Sequence, residues 1–401
     1  MSESQSPDRE SFRQEVRGWL ADNAPRDWRQ QLTNADHTLF LKIQREWFLK
    51  LVAAGYATPH WPEEWPGGGR SLANQKVIFE EIARADAPRL VMHFVALYHA
   101  ACTLFEFGTE DQKSRYLSAI LQGEKWCQGF SEPNAGSDLA SLRTRAELRG
   151  DRYVINGQKI WTTLAHHSDR CLLLVRTSSN GIPQAGLTYL LLDMRAKGLT
   201  VRSIQQANGD NEFAEVFFDD VEVPVVDRVG EEGQGWAVAQ ATLASERGLT
   251  LVELTQRMRY ALPLIAKTIV AQGLQHDSVT RRDLGLLATK VDAACALADR
   301  YLQRRIAGEE KVGDASIVKL CYSRTLREFV RMGQRIGGLE AQYNAGYMCA
   351  APQETGMWTF DFLNSYNWTI AGGSDEVQRN IIAERMLGMP REPRHWRVEK
   401  Y

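Results

Sequence analysis

The sequence predicts an α+β chain with helical regions on either side of a small β region, and three observations carry that prediction. Apolar residues recur at helical spacing through the first third, and from Trp126 the period shortens to that of strands. After Pro224 and the glycine-rich run from Val229 to Gly235, long helical patterns return and continue to Leu387. The divisions that follow are 1–125, helical; 126–235, a sheet or barrel; and 236–401, a helical bundle.

Each element has its own signal. Ser11 followed by Gln14 reads as a capping box ahead of Phe12, Val16 and Leu20, and Phe40, Ile43, Trp47 and Leu51 repeat until Gly55 stops them. The stretch from His60 to Arg70 holds prolines and consecutive glycines, which break regular structure. Helical patterns resume over Asn74 to Ala85, Leu90 to Phe107 and Thr109 to Leu121, the last opening on a Thr109/Gln112 cap. Strands are expected at Tyr153 and Ile155, with a hairpin turn at Asn156-Gly157, then at Cys171 to Val175, Leu187 to Leu192 and Glu215 to Phe218. Pro263 marks a kink or break in the first long helix of the last region.

Composition narrows the function classes. Lys and Arg total 48 against 50 Asp and Glu, so no basic excess invites a polyanion. The six cysteines lie far apart without a Cys-x-x-Cys pair, which argues for reduced core thiols rather than a disulfide framework or a zinc site. Met1 to Asp8 has neither the apolar stretch of a secretory signal nor the Arg-rich character of a transit peptide, and no apolar run approaches a membrane span, so a cytoplasmic protein is expected.

The richest segment runs from Phe130 to Thr163. Ser131, Asn134, Gly136 and Ser137 offer hydroxyls and approachable backbone N–H groups suited to pyrophosphate oxygens or a heteroaromatic edge. Trp161 brings a flat apolar face, with the hydroxyls of Thr162 and Thr163 beside it for a polar ring edge. The same residues also suit an ordinary turn and hairpin. His166-His167 with Asp169 fits no common zinc spacing, so no metal is expected. The dinucleotide fingerprint Gly-x-Gly-x-x-Gly is absent, and the basic run Arg391 to Lys400 reads as a packed or solvated tail.

Three motifs in order give the chain a resemblance to the acyl-CoA dehydrogenases over nearly its whole length. They are Phe130-Ser131-Glu132-Pro133-Asn134-Ala135-Gly136-Ser137-Asp138 with Asn156-Gly157-Gln158-Lys159-Ile160-Trp161-Thr162-Thr163, then Gln334-Arg335-Ile336-Gly337-Gly338, then Gly373-Ser374-Asp375-Glu376-Val377-Gln378-Arg379-Asn380-Ile381. The resemblance implies an N-terminal α-helical domain, a middle β-barrel or sheet domain and a C-terminal four-helix bundle. It also implies FAD, an acyl-CoA substrate, an electron-transfer flavoprotein as electron acceptor, and α,β-dehydrogenation to a trans-2-enoyl-CoA with hydride passing to flavin N5.

The family's base is a glutamate in either of two places. Medium- and short-chain members carry it where this chain has Gly372, which cannot take a proton but keeps a backbone N–H for the thioester oxygen. Isovaleryl- and long-chain-type members carry it in a Glu-Arg pair after a Gly-x-Gly-Trp turn, and here Gly233-Gln234-Gly235-Trp236 precedes Glu246-Arg247. The resemblance therefore makes Glu246 the base and places Arg247 close to substrate. A lone Glu-Arg on a helix is equally the pattern of a solvated ion pair.

By the same resemblance, Gln128, Phe130 and Ser131 run along the isoalloxazine, Ser137 lies near the pyrophosphate and the pantetheine arm, and Trp161, Thr162 and Thr163 meet the ring. Arg281 reaches a neighbouring subunit's FAD, although the usual Phe-Gly after it reads Leu284-Gly285; Gln334, Gly337 and Gly338 form the adenosine-side turn across that interface; Ser374 and Glu376 touch FAD after the catalytic loop. A homodimer or homotetramer is implied, with a heteromer open. A flavin-holding non-catalytic subunit, a nitroalkane-type oxidase and a DNA-associated family member are the other readings, the last discouraged by the net charge of -2.

Overall fold

The structure is a computed structural model that describes residues 7–343, 346–349 and 354–391, apart from the side chains of 245–249. The first region comprises α1 (Pro7–Asn23), α2 (Trp28–Leu32), α3 (His37–Ala53), α4 (Leu72–Arg84), a π-helical turn at Val95–Ala100 that runs into α5 (Ala101–Phe107), and α6 (Glu110–Leu121). α1 already runs through Pro7, so Ser11 lies inside the helix, and Gln14 donates to Glu10 instead of closing a capping box. The Thr109/Gln112 capping box of α6 is present in both directions. Gly55 ends the α3 segment in a left-handed conformation, with φ of 73°.

The middle region is one eight-stranded sheet made of β1 (Trp126–Gly129), β2 (Arg145–Arg149), β3 (Arg152–Thr163), β4 (Arg170–Arg176), β5 (Leu187–Asp193), β6 (Leu199–Ser203), β7 (Phe213–Pro224) and β8 (Arg228–Val229). Its order is β6-β7-β3-β2-β4-β5-β8, with β1 parallel to β4 off that path. The β2–β3 hairpin turns at Gly150-Asp151, not at Asn156-Gly157, because β3 continues through that dipeptide with a bulge against β7. Gly157 is needed there for close approach: a Cβ on it would lie 2.7 Å from the Thr144 Cα. β4 is buried on both faces, Cys171, Leu173 and Val175 toward one core and Leu172 and Leu174 toward the other, which is why it reads as an unbroken apolar run.

The last region holds α7 (Gly235–Ala271), α8 (Ser278–Ile306), α9 (Asp314–Ile336), α10 (Trp358–Ser365), α11 (Asn367–Ile370) and α12 (Asp375–Asn380). Pro263 lies within α7 without ending it. One missing hydrogen bond is tolerated because α7 packs against α4, α8 and α9. Past Arg391 the basic tail lies outside the described residues. No helix among the described residues is long and apolar enough to cross a membrane, and all six cysteines are free.

His93 gives the fold an acid weakness. Its ring stacks on Phe48 with centroids 4.1 Å apart, neither ring nitrogen has a hydrogen-bond partner, and burial pushes its pKa down to about 3. The unfolded chain therefore takes up a proton near pH 6.5 that the folded chain refuses, so this contribution is full above pH 6.5 and is lost as pH falls toward 3. His60, pushed by burial to about 4, acts in the same direction. We expect thermal stability to fall between pH 6.5 and pH 5, and His93→Phe to flatten part of that fall; equal pH slopes for the two proteins by calorimetry would refute the assignment.

Candidate active site

The flavin-type motif residues of β1 and β3 are tied together by a buried lysine. Lys159 is 0% exposed, and its ammonium donates to the Phe130 carbonyl at 3.0 Å and to Glu132 Oε1 at 2.8 Å. Glu132 also accepts from the Arg143 and Thr144 backbone N–H groups at 2.6 and 2.8 Å, and Ile160 N–H donates to the Ser131 carbonyl at 3.0 Å. Burial pushes the Lys159 ammonium down to about 8 against the pull of Glu132. Burial also works against the Glu132 carboxylate, yet the charge and hydrogen bond of Lys159 keep it below the ordinary carboxylate value. Both residues stand in the sequence motifs, but the sequence alone assigns neither a role, because their pairing is a contact across 27 residues.

A second bulge follows directly. Between Lys159 and Thr162 the register with β7 shifts, and Trp161 sits at φ of 60°, an uncommon backbone for a bulky residue. The result is an indole 56% exposed with its edge on Phe213, next to Thr162, whose hydroxyl is buried without a partner in the protein. A flat uncovered indole, an orphaned hydroxyl and the partly exposed Thr163 fit a planar heteroaromatic ring with polar edges. The turn carrying Asn134, Gly136 and Ser137 is exposed, with open space where a Gly136 Cβ would stand.

α7 forms a wall beside these strands. Phe130 meets Tyr189 edge-on at 5.8 Å; Tyr189 Oη lies 3.2 Å from Thr242 Oγ1, which in turn is 2.7 Å from Thr103 Oγ1 of α5. Thr242 is one helical turn before position 246. On the opposite wall, His99 of the π-helical turn shares a 2.7 Å hydrogen bond with Gln128 Oε1. The side chains of Glu246 and Arg247 lie outside those described; their backbone belongs to α7.

Beyond position 246 the lining turns polar. Glu253 and Arg257 follow it by seven and eleven residues, so the three positions share one helical face, Glu253 about 10 Å along the axis from 246. Glu253 accepts from Arg89 at 3.2 Å and from Arg257 at 3.0 Å. Burial works to raise Glu253, but these two guanidinium groups keep it below the usual carboxylate range. Arg89 also lies 5.0 Å from the Phe94 ring centroid and 5.9 Å from that of Trp368 on α11. Trp368 is four residues before Gly372, so Arg89 lies between the α7 face that carries position 246 and the helix that leads into the Gly372 loop. A small cavity lined by Tyr98, Phe94, Arg89, Glu253 and Arg257 lies at this end. Arg257 Nη2 is buried there with no partner in the protein.

Gly372 and Gly373 are left-handed, with φ of 66° and 88°, and the Gln378 amide donates to both of their carbonyls at 3.0 and 3.1 Å. Ser374 caps α12 through Val377 N–H, and Glu376 is exposed and paired with Arg379. Asp375 anchors the loop to α9 through Lys319 at 2.8 Å and Ser323 at 2.9 Å.

Arg281, Gln334, Gly337 and Gly338 gather at a different place, where the start of α8 meets the end of α9. Asp283, two residues after Arg281, pairs with Arg335 at 2.6 Å, and Gly337 is so close to Ala341 that a Cβ would fall 2.4 Å from its Cβ. Arg281 is exposed, and Val279, Leu286, Leu339 and Tyr343 leave large apolar surfaces uncovered around this end. The adjacent His166 and His167, whose spacing with Asp169 fits no common zinc site, both reach His37 of α3, a partner that no sequence spacing indicated.

Models of the acyl-CoA dehydrogenase N-terminal, middle and C-terminal domains match residues 6–124, 127–221 and 233–387. The chain is 40% identical over 397 residues to acyl-CoA dehydrogenase IpdE1 of Mycobacterium tuberculosis, covering 96% of this chain and 99% of that one. Among solved structures it resembles the Tcur3481-Tcur3483 steroid ACAD, with TM-score 0.84, 29% identity, and 97% and 100% of the two chains covered. It also resembles the ChsE4-ChsE5 complex from Mycobacterium tuberculosis, with TM-score 0.82, 28% identity, and 98% and 100% coverage. The helical, sheet and helical architecture, the motif strands and these matches agree: the chain belongs to the acyl-CoA dehydrogenase family and is a flavin-dependent oxidoreductase.

Proposed function

We propose that this chain removes the α-proton of a ring-bearing, steroid-derived acyl-CoA thioester with Glu246 as base, giving the trans-2-enoyl-CoA. The observation that carries this reading is Arg89, which pairs with Glu253 on the α7 face bearing position 246 and also lies against Trp368 of α11, four residues before Gly372. Glu246 fills the need left by glycine at 372. Nearby carboxylates are poor substitutes: Glu253 is held between two arginines, and burial together with the charge of Asp210 raises Glu212 to about 8, so it carries a proton at neutral pH. The Gly372 N–H donates to the thioester oxygen and stabilises enolate charge as it develops. Ser137 and Arg247 contact the substrate.

Gln128, Phe130, Ser131, Trp161, Thr162, Thr163, Ser374 and Glu376 would hold FAD, which supplies the hydride acceptor when bound. Electrons then pass to an electron-transfer flavoprotein. The regions 1–125, 126–235 and 236–401 divide the work: acyl pocket wall, cofactor and thioester contacts, and base with oligomer surface. Arg281, Gln334, Gly337 and Gly338 serve a neighbouring subunit's cofactor, which fits their position beside uncovered Val279, Leu286, Leu339 and Tyr343.

The steroid-type acyl group is supported by the relative named as a steroid ACAD and by the polar end of the pocket. Arg257 Nη2 has no partner in the protein and suits an oxygen on a far ring; a plain alkyl chain would leave it buried and unpaired. A panel of thioesters tested for anaerobic flavin reduction should favour oxygenated ring substrates over straight chains by about tenfold or more, since one satisfied buried donor is worth roughly 1–3 kcal/mol. Equal or reversed preference would remove the substrate assignment.

A second reading has this chain working only beside an unlike partner, favoured by two solved relatives that are described as pairs. Purified alone, a self-sufficient homo-oligomer keeps FAD and turns over. A chain that is colourless alone and becomes yellow and active on adding a partner establishes the heteromer.

A further inference from the structure

Three imidazoles converge where the helical region meets the turn after β3. His37 opens α3 behind its N-cap Asp36, while His166 and His167 lie in the turn Ala165–His167. His37 Nδ1 is 2.6 Å from His167 Nε2 and 3.3 Å from His166 Nε2, so three ring nitrogens are directed at one small volume. The opposite nitrogen of His37, Nε2, lies 3.4 Å from Asp210 Oδ1. All three rings are partly exposed, which leaves a path for an ion from solvent.

We propose that His37, His166 and His167 form a binding site for a divalent transition metal ion of the zinc class, with Asp210 orienting the His37 ring. The donor set and its supporting carboxylate both fit. Borderline divalent ions take neutral imidazole nitrogen at about 2.0–2.1 Å, and four such ligands around a tetrahedral centre stand about 3.3 Å apart. Of the two separations from His37 Nδ1, one already has that value and the other opens by under an ångström to reach it, and the three ligand atoms all lie within 4.8 Å of one another.

Hydrogen bonding among the rings explains the arrangement less well. A carboxylate facing His37 Nε2 requires N–H there, which leaves Nδ1 as a single lone pair for two facing nitrogens. A cation in the centre engages all three lone pairs at once. Cys349 lies within reach of His37 and Asp210, but its thiol donates to the Ala35 carbonyl at 3.4 Å, so the fourth position is left to water.

The ion would clip α3 to the turn that leaves the Trp161–Thr163 strand and, through Asp210, to the segment before β7. Leu164 N–H already donates to the Glu212 carbonyl across that junction at 2.6 Å. The clip is structural, holding the helical region against the sheet beside the cofactor strand.

The test uses the full-length holoenzyme, stripped with chelator and titrated with Zn(II) by calorimetry and with Co(II) by visible d–d absorption. One sub-micromolar equivalent with tetrahedral cobalt bands is expected, together with a rise in Tm on adding zinc. His37→Gln and His167→Gln should abolish both signals, and His276→Gln, at an exposed histidine elsewhere, should change neither. Asp210→Asn keeps every ligand and should weaken binding about 10–100-fold, which guards against a histidine variant that fails to fold. Absence of stoichiometric binding, or binding that persists in His37→Gln, overturns the site.

Discussion

Glu246→Gln is expected to slow flavin bleaching by a good acyl-CoA substrate by about 10²–10⁴-fold while FAD and thioester remain bound. Glutamine preserves size and hydrogen-bonding shape but cannot take a proton, so the loss reports proton removal and not pocket collapse. The control is Glu212→Gln. Burial already keeps Glu212 protonated near neutral pH, so its amide should bleach within a few-fold of the unaltered protein. If Glu246→Gln bleaches normally and Glu212→Gln does not, the base has been assigned to the wrong carboxylate. A carboxylate added at the other family position, in Glu246→Gln/Gly372→Glu, should recover only a part. Position 372 is left-handed at φ of 66°, which costs a non-glycine residue roughly 1–2 kcal/mol, and the carbonyl grip of Gln378 depends on that backbone.

How much was readable beforehand follows the range of each signal. Helices and strands show as local periodicity, so the order helical, sheet, helical and the Thr109/Gln112 cap were legible. Local signals misled where a longer-range contact decides. Asn156-Gly157 has the composition of a hairpin turn, but Gly157 is required by the nearby Thr144 backbone, and the strand passes through. Pro263 reads as a kink or break, and packing on several helices keeps α7 from breaking there. Motif residues on β1 and β3 were legible because they are close in the chain as well as in space. Arg89, Glu253 and His37 were not, because each acts through a partner more than a hundred residues away, at which no spacing rule points.

Lys159→Met is the other change with a large expected effect. It removes the ammonium from a buried pair and leaves Glu132 ionised and only partly compensated, which typically costs 3–5 kcal/mol, on the order of a third of a domain's stability. Two readouts separate the charge from the positioning. Pairing the change with Glu132→Gln removes the uncompensated charge while the single amide oxygen can still accept from one of the Arg143 and Thr144 N–H groups, so thermal stability should partly return. FAD retention should not return, because the ammonium's tie to the Phe130 carbonyl is missing in both variants, which leaves the Ile160 N–H bond to the Ser131 carbonyl to hold the segment after β1 and lets Phe130 shift against Trp161. A double variant as yellow as the unaltered protein would make Lys159 a matter of stability alone. A double variant that stays colourless after its melting point has recovered would show that this lysine sets the spacing between the two strands on which the ring is proposed to lie.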